Sequence, residues 1–164
     1  CGTRTPNLID RVSIPAFEEI IRMAQSLYRY VLIDVPQAFN PTAIAAAELS
    51  DITYLVAMLN DGYEIQHMQR AMEIFEDWPD YEQRALPIFT RVTPCGVARQ
   101  QELSRQLGYR VAAVIPNAYN VVSAAADKGR MAVDIEPGSE LTKFVTKLAL
   151  DISRGKRHQA EEDA

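Results

Sequence analysis

Tyr30-Val31-Leu32-Ile33-Asp34-Val35-Pro36 and Ile52-Thr53-Tyr54-Leu55-Val56-Ala57-Met58 are two short apolar runs whose reading decides the fold. Neither alternates apolar with polar residues, so each reads as a strand buried on both faces. Between them, Asn40-Pro41 opens a short helix through Ala43 to Leu49, with Asn as N-cap and Pro at the first helical position. Before them, Ile14, Phe17, Ile20, Ile21, Ala24 and Leu27 fall at helical spacing. Two further strands follow, Ala85 to Val92 and Val111 to Ile115, the second ended by Pro116. Helices fill the intervals. Ile65, Met68, Met72 and Phe75 line one that stops before Pro79, and Val97, Leu103 and Leu107 line another that Gly108 closes. Val121 to Lys128 is helical up to Gly129, and a last helix capped by Ser139 carries Leu141, Phe144, Val145, Leu148 and Ile152. Alternating helices and fully apolar strands predict a three-layer α/β fold, a mostly parallel sheet with helices on both faces. The polar stretch 155–164 is expected to be a flexible tail behind a domain spanning 1–154.

Composition narrows the function. The 164 residues suit one domain, and 48% apolar with 24% charged residues is an ordinary globular balance. A net charge of −5 argues against a nucleic-acid surface. Cys1 and Cys95 stand alone, without a C-x-x-C pair, so the sequence predicts free thiols, no zinc site and a cytoplasmic setting. No run approaches the ~20 apolar residues of a membrane span. The opening Cys1-Gly2-Thr3-Arg4 has no initiator Met, and the expectation is that further sequence lies upstream.

In an open parallel sheet, ligands bind beyond the carboxyl ends of the strands. The sequence places four loops there, beginning at Asp34-Val35-Pro36-Gln37, Asn60-Asp61-Gly62, Thr90-Arg91-Val92-Thr93-Pro94 and Pro116-Asn117. Asp34, at the end of an apolar run, matches the Walker B arrangement, in which a carboxylate holds Mg²⁺ beside transferring phosphate. An Asp capping a turn is the plainer alternative. The partner motif G-x-x-x-x-G-K-[ST] does not occur: the glycines stand at 2, 62, 96, 108, 129, 138 and 155, and no pair has the required offset.

The order of these motifs resembles the MinD/ParA superfamily and, within it, the CpaE/TadZ pilus-assembly ATPases. The likeness runs from about residue 12 to 152. It rests on Tyr30–Pro36, Leu49-Ser50-Asp51-Ile52-Thr53-Tyr54-Leu55-Val56, Phe89-Thr90-Arg91, Ile115-Pro116-Asn117, and Val122-Ser123-Ala124-Ala125 through Lys128-Gly129-Arg130-Met131. The resemblance implies an ATP- and Mg²⁺-dependent homodimer, with Asp34 as catalytic and metal-holding residue. It implies that Thr90, Arg91, Pro116 and Asn117 hold the nucleotide. Partners would be pilus-assembly or polar-localisation proteins, and the protein would be cytoplasmic, with recruitment to the cell pole or inner-membrane face. Thr90 departs from the pattern, standing where Asn is expected, and Gln37-Ala38 stands where Gly often follows D-x-P.

The resemblance also places a phosphate-loop strand between Tyr30–Asp34 and Ile52–Met58, in sequence upstream of Cys1. Without that strand the 164 residues are expected to be poorly stable or to re-pair their sheet. Alternatives are a non-hydrolysing scaffold, a positioning ATPase of another system, and a phospho-receiver with Asp34 as acceptor. The receiver spacing is wrong, with an extra strand–helix unit in the way. His67 reads as a surface or boundary side chain, and Met68 and Met72 as core.

Overall fold

The computed structural model describes residues 13–36, 40–60 and 62–162, with side chains through 153. The described elements are α1 (Ile14–Leu27), α2 (Pro41–Glu48), β1 (Thr53–Met58), α3 (Tyr63–Glu73), α4 (Tyr81–Arg84), β2 (Ala85–Val92), α5 (Val97–Leu107), β3 (Ala113–Pro116), α6 (Tyr119–Asp127), α7 (Ala132–Ile135) and α8 (Glu140–Glu162). The chain divides into two compact units, residues 1–53 and 54–164.

In the first unit α1 packs on α2. Ile21 of α1 and Ala45, Ala46 and Ala47 of α2 are buried, the small alanines allowing close approach of the two helices. Asn40 caps α2 as its sequence predicts, its Oδ1 accepting from the Ala43 N–H at 2.8 Å. The Gln25 amide donates to the Leu49 carbonyl at 2.9 Å and ties the end of α2 to α1. One expectation fails here. Tyr30–Ile33 is not a β-strand, and Leu32 is 93% exposed rather than buried. An apolar run becomes a strand only when a neighbour supplies its ladder of donors and acceptors, and the sheet among the described residues is made of β1, β2 and β3 alone.

The second unit holds a three-stranded parallel sheet in the order β1-β2-β3, the only sheet among the described residues. The fold is α/β, with helices on both faces of this sheet. On one face Leu55 and Ala57 of β1 join Phe89 and Val92 of β2, Val114 of β3, Met68 of α3, and Leu103 and Leu107 of α5. Phe89 and Leu103 are wholly buried. On the other face Tyr54, of opposite parity along β1, has its phenol raised above the ordinary range by burial and, to a lesser degree, by the Asp151 carboxylate of α8. α8 also packs against β3. Among the described residues β1 lies at one edge of the sheet.

Sequence signals fix the helix ends. Gly108 takes φ +82° after α5, a value other residues adopt only under strain, and its N–H reaches the Ser104 carbonyl. Ser139 caps α8, accepting from the Thr142 N–H at 3.1 Å. α8 continues through Glu162, past the point where the sequence suggested a tail. Short helices α4 and α7 were not expected. Cys95 is a free thiol, whereas Cys1 lies outside the described residues.

Two outcomes test this packing. Leu103→Ala should lower the unfolding free energy by about 2–5 kcal/mol in a denaturant titration. Tyr109 donates to the Glu76 carboxylate, and this bond, with burial, pushes its phenol up to about 12 from 10.0. The folded value lies above the unfolded one. The contact therefore stabilises fully below pH ~10 and is lost as pH climbs through ~12. Phenolate absorbance should show Tyr109 titrating late, and Glu76→Gln should return it toward the ordinary range.

Candidate nucleotide site at the carboxyl edge of the sheet

Parallel pairing brings the ends of β1, β2 and β3 to one edge. The Leu59 N–H donates to the Thr90 carbonyl at 3.0 Å, so the loop leaving β1 is held against β2. Cys95, in the loop leaving β2, approaches the Val114 carbonyl of β3 at 3.5 Å. Three of the four loops read from the sequence are thus neighbours, although Asp61 and Gln37 lie outside the described residues.

The pairing of β2 with β3 is not regular. Ile88 faces Ala113 and Phe89 faces Val114, but Val92 faces Pro116, so β2 spends one extra residue over this interval. That is a β-bulge at Thr90-Arg91, and Arg91 takes φ +57° to make it. Thr90 remains half-buried, and its hydroxyl is directed at the Ala57 carbonyl at 3.4 Å. Arg91 is exposed. Thr90, Arg91 and Pro116, chosen from sequence, are therefore brought together by one irregularity of the sheet. Asn117 follows Pro116 and is exposed.

Asn117 belongs to a cavity of about 360 Å³ where β3 passes into α6. Ala118, Tyr119, Asn120, Val121 and Glu136 complete its lining. Sequence reading missed Tyr119, Asn120 and Glu136. The polar run Asn117-Ala118-Tyr119-Asn120 directly after a strand was a usable signal for the first two. Nothing in the sequence points to Glu136, which arrives from beyond α6. A second cavity of about 460 Å³ runs along α8, with Lys143, Lys147 and Asp151 in its lining and no strand-end loop.

Asp34 lies in the first unit, exposed at its position near the end of the irregular run. Among the described residues no three His, Cys, Asp or Glu side chains converge as a metal cage. A magnesium nucleotide does not require one, since Mg²⁺ is ordinarily held by one or two carboxylates, water and the phosphates themselves. Asp34 fits that lesser demand as a single exposed carboxylate. His67 is exposed, and Met68 and Met72 are buried as expected.

No family model matches the chain, and no curated protein matches it. Among solved structures it is similar to a ParA family ATPase from Chlorobium tepidum TLS, with a TM-score of 0.77 and 17% identity. The match covers 91% of this chain and 61% of that one, so the chain spans less than two thirds of the similar structure. The likeness shows a ParA-like fold. Among the described residues no helix is long and apolar enough to cross a membrane.

The bulge makes a testable demand on backbone. Arg91→Gly should leave stability within about 1 kcal/mol of wild type, since glycine takes positive φ without strain. Arg91→Val should cost about 1–2 kcal/mol by thermal or chemical denaturation, because a branched Cβ is crowded there.

Proposed function

We propose that this chain is part of an ATP-binding switch protein of the ParA/MinD kind, which dimerises with nucleotide and positions or assembles a Flp/Tad-type pilus. It works on the cytoplasmic side, recruited to the cell pole or the inner-membrane face by pilus-assembly or polar-localisation proteins. The observation that carries the reading is the gathering of the loops after β1, β2 and β3 on the carboxyl edge of a ParA-like parallel sheet. In this reading Thr90, Arg91, Pro116 and Asn117 lie along the nucleotide. Asp34 holds Mg²⁺ and acts in catalysis, where the metal neutralises charge on the transferring phosphate.

A second reading is a scaffold that keeps the fold without turnover. One observation favours it: Thr90 turns its hydroxyl toward the Ala57 carbonyl. Turnover by a protein containing this chain would require a phosphate cradle from outside the sequence given.

Calorimetric titration with Mg-ATP, on the wild type and on Asp34→Ala, tests the switch reading. Loss of Asp34 should weaken Mg²⁺-dependent binding about tenfold, a difference of about 1.4 kcal/mol. Equal affinity in the two proteins, with and without Mg²⁺, would remove Asp34 from the site. Steady ATP hydrolysis by the wild type would exclude the scaffold.

A further inference from the structure

We draw no further inference here: the strongest candidate, the exposed apolar face of α1 formed by Ile20, Met23 and Leu27, carries nothing, because nothing in the structure shows what covers it.

Discussion

The parallel pairing of β2 with β3 is the constraint on which the second unit depends. Phe89 and Val114 face each other across it, and both turn toward Leu103 and Leu107 of α5 and Met68 of α3. Burying these side chains removes apolar surface from water, worth roughly 1.5–3 kcal/mol for each large residue. The same pairing determines the edge to which the strands deliver their loops. Packing and site are therefore consequences of one register.

That register contains a deliberate irregularity. A regular ladder would carry the alternation of β2 unchanged into Thr90 and Arg91. The extra residue lets Val92 return to the core opposite Pro116, with 1% exposure, while Arg91 stays in solvent. Bulges recur beside binding sites because they aim a side chain without dismantling the sheet. Here the bulge gives Arg91 its exposure and sets the end of β2 beside the start of the β3–α6 cavity.

The edge strand β1 tells a different story. Val56 is 62% exposed and Met58 38%, although both belong to an apolar strand of the kind normally covered on both faces. Leu55 and Ala57, on the opposite face, pack against the core. Strand β1 therefore has the sequence of an interior strand and the environment of an edge. Tyr30–Ile33 shows the same mismatch more strongly, as it has the composition of a buried strand and forms none.

The sequence by itself determined the α/β class, the positions of β1, β2 and β3, the caps at Asn40, Gly108 and Ser139, and the strand-end loops that hold Thr90, Arg91, Pro116 and Asn117. Local rules suffice for these, because hydrophobic period, cap chemistry and glycine freedom act within a few residues. Tertiary structure alone decided the rest. Whether Tyr30–Ile33 becomes a strand depends on a ladder partner that its own residues do not specify. The bulge at Arg91 appears only when β2 is set against β3. Glu136 joins Asn117 only because α6 and α7 fold back and bring together residues far apart along the chain. Pairing, register and long-range closure are relations between segments, and no single segment carries them.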